Sequence, residues 1–314
     1  MQEWNVLVTD GLDEVGQAIL KTAARVEDRS GINAEELLQS INAFDALIVR
    51  GRTKVTSAVF SAGKKKLRVV GRAGVGVDNI DIAAATRHGI TVVNTPIATT
   101  TAVAEYTLAL MFSLARLIPK ADASMKSGLW SKKELLGIEL SGKVLGVIGM
   151  GNIGAAVAEL ADALGMTVLG YDPLIPFEEI GLRGAEAVSI NDLFARSDFI
   201  SLHVPLNPDT KSMINGQAFG MMKRGVRLIC DARGGVIDET ALLGALEAGQ
   251  VAGAALDVFS KEPPGITALV AHPNVIATPH IAAQTAESQA RAAQDIASEV
   301  LSVLKGEPLR WKIV

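Results

Sequence analysis

A guanidinium, a carboxylate and an imidazole stand in segments of similar build. Arg233 lies in Cys230-Asp231-Ala232-Arg233-Gly234-Gly235 after an apolar run, Glu262 follows Asp257 and precedes Pro263-Pro264, and His280 follows Pro279. If each preceding run is a strand, all three stand at carboxyl ends, where open α/β sheets bind ligands. The set suits oxidation or reduction of a small hydroxy acid. Moving a hydride from the alcohol carbon leaves a hydroxyl proton, which an imidazole can take near neutral pH. A carboxylate beside the imidazole orients it and stabilises its cation. An arginine fork can hold a carboxylate through two hydrogen bonds and polarise the neighbouring carbonyl. Plainer readings remain open here: Arg233 in a surface ion pair, and His280 as a structural or solvated member of the four histidines His88, His203, His272 and His280.

A hydride needs an acceptor, and the segment Val144–Gly154 offers a place for one. The run Val144-Leu145-Gly146-Val147-Ile148 leads into Gly149-Met150-Gly151-Asn152-Ile153-Gly154 and an alanine-rich helix pattern. In a strand–turn–helix unit the first glycine permits the tight turn, the second admits a pyrophosphate and the third lets the helix pack closely on the strand. Amides at the helix start favour the phosphates. Glycines at turns are mostly structural, so context decides. A second run, Thr167–Tyr171, ends in Asp172 about twenty residues on, where a carboxylate accepts from ribose hydroxyls and repels a 2′-phosphate. The alternative for Asp172-Pro173 is a turn after a strand. Together these features point to NAD rather than NADP.

The elements that must position these groups follow a regular pattern. Strands are expected at Val6–Thr9, Ala46–Val49, Val69–Val70 and Thr91–Asn94, with Met1–Asp10 reading as a strand start. Others are expected at Val144–Ile148, Thr167–Tyr171, Phe199–His203, Leu228–Asp231, Gly253–Val258 and Val275–Thr278. Most are continuous apolar runs, as in strands covered on both faces. Helical stretches such as Asn152–Leu164 and Glu239–Ala248 alternate with them. The fold class expected is α/β: two doubly wound parallel-sheet domains, a Rossmann cofactor domain inserted into a flavodoxin-like substrate domain. The expected boundaries are 1–98 with 284–314 for the substrate domain and 99–283 for the cofactor domain, the last helix at about Thr285–Lys305 returning to the first domain across a hinged cleft.

Composition limits the alternatives. The 314 residues are 49% hydrophobic and 20% charged, a globular balance, and the net charge of −4 gives no basic footprint for nucleic acid. Cys230 is the single cysteine, so no intrachain disulfide can form, which fits a reducing compartment. No signal peptide is read at the N-terminus, and the apolar stretch Ala102–Ile118 is broken by Glu105, Ser113 and Arg116. The expectation is a cytoplasmic protein with neither membrane nor nucleic-acid partner, and no metal.

Across nearly its whole length the chain resembles the D-isomer-specific 2-hydroxyacid dehydrogenases, and within them the 3-phosphoglycerate dehydrogenases. The resemblance rests on Val70-Gly71-Arg72-Ala73-Gly74-Val75-Gly76-Val77-Asp78-Asn79-Ile80-Asp81, on Asn94-Thr95-Pro96, on the glycine loop, on Ala232-Arg233-Gly234-Gly235, on Asp257 through Glu262-Pro263, and on Pro279-His280. It implies that Arg233, Glu262 and His280 are catalytic, with His280 the acid/base. It implies cofactor contacts at Asn152, Ile153, Asp172, Val204, Asp231, Ala232 and Asp257 besides Gly149, Gly151 and Gly154. Val75 is placed at both cofactor and substrate, and Gly76 at the substrate. A homodimer is implied, with a tetramer as the alternative, joined through an arm at about Ala102–Gly142 whose Trp130 and Lys132 approach the partner's cleft. The family often has Asn at Cys230, Arg at Asn152, and Thr or Ser at Val75. No C-terminal regulatory extension follows the core, so feedback by serine through such a domain is not expected.

The substrate is less determined. Arg50, Arg52 and Lys54 share one short turn and Arg72 follows another strand, a cation group suited to a phosphorylated acid. A solvated basic turn would read the same. D-3-phosphoglycerate oxidation is the leading expectation, and glyoxylate or hydroxypyruvate reduction uses the same triad. An NAD-sensing corepressor would also keep the cofactor loop, though it would want long flanks for docking that are absent here.

Overall fold

A computed structural model describes residues 4–314, so the first three residues of the expected strand start lie outside the described residues. It divides into two compact units, one formed by the residues up to Thr99 together with Ala283–Val314, the other by Thr100–Ala282.

The first unit is a five-stranded parallel sheet. Its strands are β1 (Trp4–Val8), β2 (Ala24–Asp28), β3 (Ala46–Val49), β4 (Val69–Arg72) and β5 (Thr91–Val93), in the order β2-β1-β3-β4-β5. This is the flavodoxin-like order. Every residue of β3 is buried, as helices on both faces require. The edge strand β2 has no counterpart among the strands expected from sequence. Its Ala-Arg-Val-Glu-Asp run is only partly covered, and two apolar residues among three charged ones are too short an alternation to mark a strand.

The terminal helix Ala286–Lys305 belongs to this unit, started by the Thr285 side chain and ended by Gly306 in the left-handed region. It approaches the helix Glu14–Lys21 closely: a Cβ on Gly16 would lie 2.5 Å from the Ala293 carbonyl oxygen. Its buried Glu299 accepts from the Arg310 and Trp311 amides, which turns the chain back. The tail then runs beside β5, where Ile313 N donates to the Val92 carbonyl at 2.8 Å.

The second unit holds seven parallel strands: β6 (Val144–Ile148), β7 (Thr167–Tyr171), β8 (Glu186–Ala187), β9 (Phe199–Leu202), β10 (Val226–Cys230), β11 (Val251–Leu256) and β12 (Val275–Ala277). Their order is β12-β11-β10-β9-β6-β7-β8, the Rossmann order with one added edge strand. Helices Thr100–Arg116 and Asn152–Ala163 share a core with this sheet through Leu108, Met111, Val157, Ala158 and Val147. Strands β9 to β12 stop one or two residues earlier than the apolar runs suggest. The residues just beyond them are His203, Asp231, Asp257 and Thr278, whose side chains bond to one another or to loops instead of extending the ladder. The two-residue edge strand β8 left no periodic signal.

Candidate active site

The glycine loop leaves β6 and enters the helix Asn152–Ala163. Gly149 has φ +93°, and a Cβ there would meet the His203 carbonyl oxygen at 2.5 Å. A Cβ on Gly154 would lie 2.0 Å from the Gly149 carbonyl oxygen. The protein's own packing thus explains both glycines. Gly151 is different: a Cβ there would meet nothing within 4 Å. It is also the residue that starts the helix, and no side chain caps that end. Open space against uncapped helix amides is what a pyrophosphate requires, so the loop fits a dinucleotide.

Asp172, just past β7, faces the same loop. Its Oδ2 accepts from Met150 N and its Oδ1 from Leu174 N, both at 2.9 Å. Each oxygen retains a lone pair for a ribose hydroxyl. Arg183 also holds the loop by donating to the Met150 carbonyl, a contact without a sequence signal.

Arg233, Glu262 and His280 follow the C-terminal ends of the neighbouring strands β10, β11 and β12. His280 Nδ1 and Glu262 Oε2 are 2.8 Å apart, with the imidazole half exposed. Glu262 Oε1 accepts from Phe259 N at 3.1 Å, which fixes the carboxylate. With Nδ1 donating to Glu262, Nε2 is left as the basic nitrogen of the ring. Gly234 brings the Arg233 loop against the Glu262 loop, since a Cβ there would fall 1.9 Å from the Phe259 carbonyl oxygen. Arg233 Nη1 donates to the Ala232 carbonyl at 2.6 Å.

His280 adopts φ +56°, a left-handed conformation that a non-glycine residue holds only when its surroundings impose it. Asp257 does so. Its Oδ1 accepts from Thr278 Oγ1 and Ile281 N, and its Oδ2 from Ala282 N, at 2.6, 3.0 and 2.8 Å. Asp257 thus shapes the histidine turn from the neighbouring strand, a role the sequence did not disclose. Sequence reading also missed Thr107, Thr278 and His203. His203 is buried beside Asp231, and burial pushes its imidazole down to about 4. Val204, which follows it, lies against Gly149.

In the first unit, Arg50 and Arg72 stand at the ends of the paired strands β3 and β4. Arg50 Nη2 donates to Gln284 Oε1 at 3.2 Å. Arg52 is bound into the loop: its guanidinium donates to the Thr9 and Ile32 carbonyls and pairs with Asp10. Lys54 is exposed. The buried Asn79 donates to the Arg50 and Thr53 carbonyls, and Asn94 to the Val75 carbonyl, so the two motifs shape the Arg50–Thr53 turn and the Val75-Gly76 loop. The guanidinium of Arg72 lies across Gly74.

Residues 108–282 match the family model of the D-isomer specific 2-hydroxyacid dehydrogenase, NAD binding domain. The chain belongs to this family, and NAD is its cofactor. It is 50% identical over 96% of its length to D-3-phosphoglycerate dehydrogenase of Methanocaldococcus jannaschii, covering 58% of that protein. It is 47% identical over 97% of its length to D-3-phosphoglycerate dehydrogenase of Synechocystis, covering 55%. The chain therefore spans about half the length of the curated relatives it matches. Among solved structures it resembles a D-lactate dehydrogenase from Aquifex aeolicus complexed with NAD and lactic acid, with 32% identity, 96% of each chain covered and a TM-score of 0.84.

Proposed function

We propose that this protein oxidises D-3-phosphoglycerate to 3-phosphohydroxypyruvate with NAD, the step that commits phosphoglycerate to serine. The His280–Glu262 contact carries the reading, because it joins a base to its orienting carboxylate in the unit that holds the glycine loop. Bound NAD supplies the hydride acceptor. His280 takes the hydroxyl proton at Nε2 while Glu262 holds Nδ1, and Arg233 binds the substrate carboxylate. Arg50 and Arg72, at the ends of paired strands, bind the phosphate; a phosphorylated substrate is supported by the names of the relatives at 47% and 50% identity. The protein works as a homodimer in the cytoplasm. The apolar side chains on its arm and the single-cysteine composition support that reading.

One observation favours a second reading. Arg52, one of the four expected phosphate cations, is bonded to backbone carbonyls and Asp10. Fewer cations remain for a phosphate, which suits a smaller acid such as glyoxylate or hydroxypyruvate. Kinetics with phosphorylated and unphosphorylated acids separates the two. Arg50→Ala is expected to lose about ten- to a hundredfold in kcat/KM on 3-phosphoglycerate and far less on hydroxypyruvate, as for one charge-assisted bond. A wild type that prefers hydroxypyruvate or glyoxylate would overturn the phosphoglycerate assignment.

A further inference from the structure

Behind the histidine turn lies a buried group of titratable side chains that proton transfer at His280 does not use. Asp231 follows β10 and His203 follows β9, with side-chain exposures of 0% and 2%. Thr107 reaches Asp231 from the helix Thr100–Arg116. Its hydroxyl lies 2.6 Å from Asp231 Oδ2 and 2.9 Å from the Val103 carbonyl. One hydroxyl proton cannot serve both acceptors fully. If Asp231 carries a proton on Oδ2, it donates to Thr107, and Thr107 donates to Val103, so both contacts of the hydroxyl are made at full strength.

The other oxygen gives the same answer independently. Asp231 Oδ1 is buried without a hydrogen-bond partner, and the nearest imidazole nitrogen, His203 Nδ1, is 3.6 Å away. An ionised oxygen there would be a bare buried charge, whereas the carbonyl of a neutral acid costs far less. Asp257, at the next strand end, has three donors on its carboxylate, in contrast to the single hydroxyl contact of Asp231.

We propose that Asp231 is a protonated acid in the cofactor-free protein, and that its ionisation makes the site favour oxidised over reduced nicotinamide. The oxidised ring carries one positive charge and the reduced ring none. Hydride transfer requires that ring beside the substrate carbon served by His280 and Arg233, whose segments follow the strand ends that carry Asp231 and Asp257. A charge gained by Asp231 acts there with little screening. By linkage, binding of the oxidised form draws the proton off Asp231.

Three other titratable groups near Asp231 stay neutral across the working range. Burial pushes Tyr106 and Cys230 upward, so both stay neutral. His203 is held neutral by burial. Burial moves Asp231 itself up to about 7, opposed by the Thr107 hydrogen bond, assisted by the charge of Asp257, and opposed more weakly by its own backbone amide.

The test is the dissociation constant of NAD+ and of NADH, measured by calorimetry and by nicotinamide fluorescence from about pH 6 to about pH 8.5, in wild type and Asp231→Asn. The ratio Kd(NAD+)/Kd(NADH) should fall about tenfold with rising pH in wild type, as for one unit of pKa difference between the two complexes. In the variant, whose amide stays neutral, it should remain at its acid-side value. Infrared spectroscopy of the free wild type should show the carbonyl band of a buried carboxylic acid at about pH 6, lost at about pH 8.5; this reading stands even if the variant does not fold. A flat wild-type ratio, an equal drift in the variant, or no acid band overturns the proposal. The inference rests on NAD binding and not on the substrate. Failure to bind either cofactor form at any pH would overturn the cofactor reading as well, whereas binding with a flat ratio overturns this proposal alone.

Discussion

At the residue scale, His203 and Asp231 form a compensating pair. Folded, they hold one proton on the carboxyl, because burial moves Asp231 from 3.8 up to about 7 and His203 from 6.5 down to about 4. Unfolded at about pH 5 they also hold one proton, now on the imidazole. The proton count therefore hardly changes on unfolding between about pH 4 and pH 6.5, and the pair contributes no slope there. Removing either partner exposes the other. In Asp231→Asn the remaining His203 binds a proton only when unfolded, so stability should rise with pH across this window. In His203→Asn the remaining Asp231 is protonated only when folded, so stability should fall with rising pH from about 4 to about 7. Urea midpoints at several pH values read both slopes, and two slopes of the same sign would contradict the pairing. The sequence could not disclose this. Arg233, Glu262 and His280 were legible because each follows an apolar run at a strand end. His203 also closes an apolar run, but nothing local places it beside Asp231.

At the element scale, the three glycines of the cofactor loop do different work, and substitutions should separate them. Gly154→Ala forces a Cβ to within 2.0 Å of the Gly149 carbonyl oxygen, so helix and strand must part. We expect a loss of about 1–3 kcal/mol in stability, the usual cost of overpacking, with weakened NAD binding following from it. Gly151→Ala meets nothing within 4 Å, and its φ of −68° suits alanine. Its thermal midpoint should stay near wild type. NAD affinity should still fall about tenfold or more, the loss of one charge-assisted bond to phosphate. Melting curves and cofactor titrations on the two variants test this; a Gly151→Ala variant that binds NAD normally would mean that the pyrophosphate does not approach this residue. The glycine triplet was legible from its spacing and flanking runs. The difference between Gly149 or Gly154 and Gly151 was not, because it depends on which backbone crosses behind each residue.

At the scale of the whole molecule, the arm after the helix Thr100–Arg116 leaves several apolar side chains uncovered. Trp130 is 79% and Leu136 88% exposed, and Ile118, Met125 and Leu129 are more than half exposed. Apolar surface concentrated on one segment marks an interaction site, and a second copy of the chain is the occupant proposed here. Sedimentation should give a dimer for wild type, and Trp130→Glu with Leu136→Asp should shift it to the monomer while leaving NAD binding to the isolated unit measurable. A monomeric wild type would remove this reading. Among the described residues no single helix is long and apolar enough to cross a membrane; the helix Thr100–Arg116 buries Ala104, Leu108, Met111 and Leu114 against its own sheet.

The sequence by itself determined the alternation of strand and helix, the cofactor loop, and the three residues at the strand ends, because each depends on local pattern: apolar runs, glycine spacing, and the residue types that follow them. The edge strand β2 escaped that reading, since a half-covered strand mixes charge with apolar residues. Tertiary structure alone decided what the motif residues do. It turned Asp257 toward the histidine turn, tied Arg52 to Asp10 and two carbonyls, and enclosed Asp231 with His203. Partners for these groups lie 20 to 43 positions away along the chain, or far more for Thr107, at 124. A carboxylate's neighbours set whether it is a strut, a charge or an acid, and those neighbours meet only when the sheet is assembled.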